Sequence, residues 1–287
     1  MGGAFVAVAD DATAFHWNPA GMTKGSPASM TVGWDKLQFG NPKAPVTPGQ
    51  AQDSNALTSV STWPLGISYG YFTGAQVVAV DAEGNSVVRA LRVHHLGATF
   101  AQTIVKGLVV GTTVKYLNGQ SSIDLSSAYS GGEVLKEGLD RRVDGDGAFD
   151  LDVGVMGEVG PIRAGLTMKN VLEPTFVGDG GFETQLKRRF RLGVAALLAA
   201  GLTLAFDVDL DTEDPLVRRN YAVGGEVHLG SSVALRSGVR WSRDGDKRPI
   251  ASLGGSLRVR TGFWLDGYAI YSRYDDRGWG IAMRIGS

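Results

Sequence analysis

Apolar and polar positions alternate along most of the chain after residue 60. From Gly201 to Asp211, Leu202, Leu204, Phe206, Val208 and Leu210 share one face, and Thr203, Ala205, Asp207 and Asp209 the other. Arg189 to Leu198 repeats the pattern, with Phe190, Leu192, Val194 and Ala196 opposed by Arg191 and Gly193. So does Ser232 to Trp241, with Val233, Leu235, Val239 and Trp241 opposed by Arg236 and Arg240. A period of two is the signature of strands with one apolar and one polar face. It predicts strands near 28–39, 54–62, 65–73, 89–101, 106–118, 146–158, 161–169, 187–199, 201–210, 219–229, 232–242, 249–259, 262–271 and 277–286. The first changes phase near Asp35, which suggests a bulge. Short turns at Trp63-Pro64, 102–105, Gly160, Ala200, Gly230-Ser231 and Arg260-Thr261 alternate with longer loops at 40–53, 74–88, 119–145, 170–186, 211–218, 243–248 and 272–276. Outer-membrane barrels alternate short periplasmic turns with longer external loops, and an even strand number, here about fourteen, returns both termini to one side.

A soluble β-fold also alternates, with its apolar face inside. The polar faces here carry Lys115, Asp150, Asp152, Arg163, Arg189, Arg191, Asp207, Asp209, Glu226, Arg236, Arg240, Arg258, Asp266 and Arg284. Long arginine-rich faces with small glycine and alanine between them suit a packed lumen better than a solvated exterior. Tyr69, Tyr71, Tyr116, Tyr221, Trp241, Phe263, Tyr271 and Trp279 gather near strand ends, as aromatic belts do at membrane interfaces. These features favour a membrane barrel over a soluble β-protein. If Ala200 centres its turn, Arg191 lies opposite Asp209; if Ser231 centres the next, Glu226 lies opposite Arg236. Such cross-strand pairs contribute about 0.2–1 kcal/mol each. Their expected role is to neutralise and fill the lumen rather than to select a substrate.

Composition narrows the possibilities. The 287 residues are 43% hydrophobic and 20% charged, with a net charge of −1. That balance gives no electrostatic case for a nucleic-acid partner. There are no cysteines, which removes disulfides, thiolate nucleophiles and cysteine metal sites together. Glycine, at 41 residues, is far above its usual share and sits inside the strands, as at Gly107, Gly111, Gly154, Gly193 and Gly238. Interior strand glycines mark bends or close backbone approach. No apolar run reaches the roughly 20 residues of a membrane helix.

The N-terminal stretch Gly2-Gly3-Ala4-Phe5-Val6-Ala7-Val8-Ala9-Asp10-Asp11-Ala12-Thr13-Ala14, followed by Trp17-Asn18-Pro19-Ala20-Gly21-Met22, resembles the start of FadL-type outer-membrane proteins, particularly the PorV/PorQ branch. Gly107–Gly111 with Lys115-Tyr116-Leu117, the segments around Arg191–Ala195 and Leu204–Asp209, Gly224-Gly225-Glu226 with Ala234–Arg240, and Leu265–Ala269 carry the resemblance along the chain. It implies an all-β fold: a transmembrane antiparallel barrel of about fourteen strands over 28–287, plugged from inside by an N-terminal hatch over 1–27. Asp10, Asp11, Asn18, Pro19 and Ala20 become the expected hatch and gating residues. Pro19 blocks helix continuation, and Asn18 and Asp11 can bond local backbone. Read without the resemblance, the stretch fits an amphipathic helix or a first strand equally well. The resemblance also implies an outer-membrane location, with the signal peptide missing from this chain. It leaves two roles open: uptake of hydrophobic compounds, with Phe5, Val6 and Phe15 lining an apolar pocket, or protein secretion with a secreted-protein partner.

Other chemistry is sparse. Asp144-Gly145-Asp146-Gly147 lacks the full calcium-loop spacing, because Ala148 takes the third ligand position; Asp211-Thr212-Glu213-Asp214 reads as a second acidic loop. His94 and His95 are adjacent on a strand and point to opposite faces. His16 is expected to pack rather than catalyse. No nucleophile elbow or phosphate loop is present. The expectation is a non-enzyme with no cofactor and no metal, whose partners are outer-membrane lipid and a hydrophobic small molecule or secreted protein. A non-conducting structural barrel, with loop 119–145 as partner surface, is the alternative from another class.

Overall fold

The alternating segments pair edge to edge until the sheet closes on itself. The computed structural model describes residues 1–178, 181–198, 201–211, 220–242 and 248–286. Its strands are β1 (Ala28–Phe39), β2 (Ala51–Thr62), β3 (Leu65–Val80), β4 (Ser86–Val105), β5 (Leu108–Ser126), β6 (Asp146–Val159), β7 (Ile162–Lys169), β8 (Thr175–Val177), β9 (Glu183–Gln185), β10 (Arg189–Leu197), β11 (Leu202–Asp211), β12 (Asn220–Leu229), β13 (Val233–Ser242), β14 (Ile250–Arg260), β15 (Phe263–Tyr271) and β16 (Arg277–Gly286). All but β8 and β9 form one closed antiparallel barrel, sealed by pairing of β1 with β16. Among the described residues the barrel therefore has fourteen strands, as the period of two predicts.

The wall is inverted relative to a soluble protein. Ile67 is 67% exposed and Leu253 69%, while Asp150 and Asp207 are 1% and 0% exposed. Leu65, Leu96, Phe100, Val114, Leu204 and Ile281 continue the bare apolar exterior, and Thr31, Ser59, Ser68, Thr99, Thr113 and Thr167 the buried interior. A soluble sheet buries its large apolar residues. One that shows them outward and hides carboxylates is stable only where the outside is hydrocarbon, and closure satisfies every ladder hydrogen bond there. No described helix is long and apolar enough to cross a membrane; this chain crosses with strands. We expect Leu253→Arg to cost about 2–4 kcal/mol, the penalty for a cation on the lipid face near the bilayer middle. The folded fraction in vesicles, read from the heat-sensitive gel shift of the barrel, checks it.

Several expectations are corrected. β1 pairs without a register shift on either side, so there is no bulge at Asp35. The phase changes because Leu37 points inward, onto the lumen cavity. Residues 74–80 and 119–126, expected in loops, extend β3 and β5, and residues 102–105 extend β4. These three strands project past the others, because more of their backbone finds partners. The remainder of loop 119–145 holds helix α2 (Gly131–Asp140), started by a capping box in which Ser130 and Glu133 satisfy each other's backbone. Val134 and Leu135 of α2 bury Ala75, Val77, Val88 and Ala90 on the outer face of the projection. On its inner face Phe176, in the β8–β9 hairpin within the expected loop 170–186, packs on Val93 and Leu117. The turn residue Ala200, the loop residues Thr212, Glu213 and Asp214, and most of the loops 211–218 and 243–248 lie outside the described residues.

Candidate functional site

Residues 1–27 precede β1 and lie against the inner faces of the strands. Ala4, Val6, Ala7, Ala9, Ala14, Asn18 and Ala20 are fully buried there. The segment holds one helical turn, α1 (Ala14–Trp17), and a 3-10 turn over Pro19–Thr23. Small side chains let it approach the wall, and wall glycines let the wall approach it. A Cβ on Gly154 would collide with Oδ1 of Asn18, and one on Gly193 would sit 2.9 Å from Cβ of Val6. Gly111, Gly165, Gly224 and Gly238 are crowded by the same segment. Six wall glycines thus form a track for the N-terminal segment.

Polar contacts fix the segment on that track. Oδ2 of Asp207 accepts the N–H groups of Phe5 and Val6 at 2.8 and 3.0 Å and Nε of Arg191 at 3.2 Å. Arg191 also donates to the carbonyl of Gly3 at 2.8 Å. Asn18 Nδ2 donates to the carbonyls of Val6 and Val155, at 3.0 and 3.2 Å, while its Oδ1 caps the next turn through Ala20 N–H at 3.1 Å. Pro19 and Ala20 sit against Gly111. Lower in the lumen, Arg284 grips Asp266 at 2.7 Å and reaches Asp11 at 3.3 Å. Lys115, between Asp150 and Asp152 at 2.7 and 2.6 Å, supports the loop before β8: Asp152 accepts Asn170 N–H and Asp150 accepts Leu172 N–H.

The expected lumen pairs are cross-strand partners. Arg191 faces Asp209 at 3.3 Å, and Arg236 pairs with Glu226. Each is part of something larger, Arg191 with Asp207 and Arg236 with Asp266 at 3.3 Å. His95 points inward, ring centroid 5.5 Å from that of Phe15, while His94 points outward to the Tyr69 hydroxyl at 2.8 Å. His16 stacks on Phe72 at 5.9 Å. The Lys169 charge and then burial hold its pKa well below the ordinary value, so the ring is neutral.

Beside the segment, toward β1, β2 and β12–β16, lies a cavity of about 790 Å³. Phe5, Val8, Trp17, Leu37, Leu57 and Tyr268 give it apolar lining, and it runs from Lys24–Ser26 at the short-turn end to Leu37 and Ile270 near the long loops. Phe5 borders this space, and Val6 and Phe15 lie outside its lining. Val6 is turned onto Gly193 and Phe15 onto His95, because the tight seat on the glycine track consumes that face. Val8 and Trp17 border the cavity, and nothing in the local sequence pattern singles them out.

Asp10 and Asp11 border the same space. Enclosure by the barrel, and Asp11 alongside, push the Asp10 carboxyl up to about 6, against the pull of Arg284. A raised acid disfavours its ionised form in the folded state. Its contribution is therefore most favourable below the ordinary value of 3.8 and is lost as pH rises through about 6. Hydrogen exchange at residues 4–9 is expected to quicken between those limits relative to other amides, and Asp10→Asn to flatten that dependence.

A closed barrel with an apolar exterior, a polar interior and a chain segment seated inside defines a transmembrane β-barrel with an occupied lumen. The chain belongs to the family described as F plasmid transfer operon, TraF, protein, whose model matches residues 20–209. Solved structures share the fold. The toluene transporter TbuX of Ralstonia pickettii is 14% identical with TM-score 0.66, over 100% of this chain and 96% of that one. A Pseudomonas aeruginosa FadL homologue is 12% identical with TM-score 0.63, over 98% and 95%. The CymD monoaromatic hydrocarbon channel is 13% identical with TM-score 0.61, over 98% and 93%. Two of these neighbours are named as a transporter and a channel. No curated protein matches the sequence.

Proposed function

We propose that the protein is an outer-membrane channel for small hydrophobic molecules, with residues 1–27 as the plug that gates it. The observation that carries this reading is the elongated cavity between that segment and the β1–β2 and β12–β16 wall. A scaffold would have no use for such a space, and a folded secretion cargo does not fit in it. The neighbours named for toluene and monoaromatic hydrocarbons support the same direction. The PorV/PorQ affiliation and a role in secretion rest on sequence resemblance alone, and no geometry of the lumen favours them. Asp10, Asp11, Asn18, Pro19 and Ala20 act in this scheme as the residues that seat the plug.

The test is uptake of a hydrophobic fluorophore such as N-phenylnaphthylamine into vesicles carrying the refolded protein. Uptake above that of protein-free vesicles, reduced when Leu57→Trp fills the cavity, is the expected result. Uptake indifferent to the protein and to that substitution would remove the channel reading.

A further inference from the structure

Four arginines border the cavity among the described residues: Arg163, Arg236, Arg240 and Arg284. Arg163, Arg236 and Arg284 each hold a carboxylate at ion-pair distance. Arg240, near the long-loop end of β13, holds none among the described residues. Its guanidinium lies 5.8 Å from the centre of the Phe39 ring and borders the cavity beside Leu37, Ile250 and Ile270. Two acids are in its neighbourhood without pairing with it. Asp276 is turned to Gly40 N–H at 2.9 Å, and Asp53 is turned toward Gly74. Leaving a guanidinium uncompensated in an enclosed, largely apolar space is costly. A carboxylate is the group whose geometry matches its fork.

The rest of the lining says what the carboxylate is attached to. Phe5, Trp17, Phe72 and Tyr268 all border the same cavity. Aromatic side chains favour a second ring in offset or edge-on contact beyond simple burial. We propose that the cavity takes an aromatic carboxylic acid, its ring among these side chains and its carboxylate on Arg240. This rests on the channel reading above and narrows it: the neutral hydrocarbons named for the structural neighbours would leave Arg240 without a partner.

The test compares 4-propylbenzoate, 4-propyltoluene and decanoate binding to the full chain in detergent at pH 8, by calorimetry. The benzoate is expected to bind about tenfold more tightly than the isosteric hydrocarbon, the size of one charge-assisted contact. Arg240→Gln should abolish that preference and leave hydrocarbon binding within about twofold, and Arg240→Lys should restore part of it. The gel shift of the folded barrel guards against misfolding. Hydrocarbon bound as tightly as the acid, or a preference that survives Arg240→Gln, overturns the acid. Decanoate bound as tightly as the benzoate overturns the aromatic part. If no ligand binds, the channel reading falls with the proposal; if only the hydrocarbon binds, the channel reading stands and the acid does not.

Discussion

Asp207→Ala is expected to release the N-terminal segment and raise the conductance of the barrel. One carboxylate oxygen takes the backbone N–H groups of Phe5 and Val6 and Nε of Arg191, and the side chain is wholly buried. Its removal leaves two N–H groups without an acceptor, and Arg191 with the Asp209 carboxylate and the Gly3 carbonyl. Breaking a buried pair by deleting one partner costs about 3–5 kcal/mol; because Asp209 remains, the lower end applies. At about 1.4 kcal/mol per decade, a 3 kcal/mol loss raises the unseated population more than a hundredfold. Asp207→Asn, which still accepts hydrogen bonds but carries no charge, should fall between. Single-channel recordings in planar bilayers give the readout, and hydrogen exchange at residues 4–9 shows whether the segment moved. Closed channels with fast exchange would mean that the segment does not seal the lumen. Unchanged exchange would mean that Asp207 does not anchor it.

Much of this architecture was legible in the sequence, and what was not has physical reasons. Fourteen strands emerge from a period of two because each strand has one neighbour chemistry inside and another outside, so every side chain reports its face. The register of Arg191 on Asp209 and of Glu226 on Arg236 follows because a short turn fixes pairing by arithmetic. The upper parts of β3, β4 and β5 were missed because there α2 covers the outer face and β8–β9 the inner one. With the outer face covered by α2, Ala75, Val77 and Val88, which lie beyond the predicted strands, are buried instead of lipid-facing. Leu37 was misread as a bulge because the wall rule assumes a polar lumen, and the cavity breaks that assumption. In the N-terminal segment, small apolar residues have no period of their own. Its shape is set by where the wall lacks side chains, which the segment's own sequence does not report. Alternation assigned Asp207 and Arg240 to the lumen but could not show that Asp207 holds the N–H groups of Phe5 and Val6, which come from the N-terminal segment.

Gly154→Val separates the barrel from what it contains. Gly154 lies on the inner face of β6, opposite Gly111 of β5, and valine suits a strand. The wall should therefore form with an unchanged gel shift. Inside, the new side chain must displace the Asn18 amide and Pro19, whose Cδ lies 2.9 Å from the Cβ position. Asn18 then loses its bonds to Val6, Val155 and Ala20, each worth about 0.5–1.5 kcal/mol net, or roughly 3 kcal/mol together. The expected result is a folded barrel whose lumen leaks, with a conductance rise comparable to that of Asp207→Ala although the two sites share no side chain. Gly157→Val in the same strand is the internal control, because nothing lies within 4 Å of its Cβ position. A rise for Gly154→Val and none for Gly157→Val ties the seal to the Asn18-Pro19 turn. Equal behaviour of the two would show that the turn rests on the wall without closing it, and the gate would then have to be sought at the Asp11–Arg284 contact lower in the lumen.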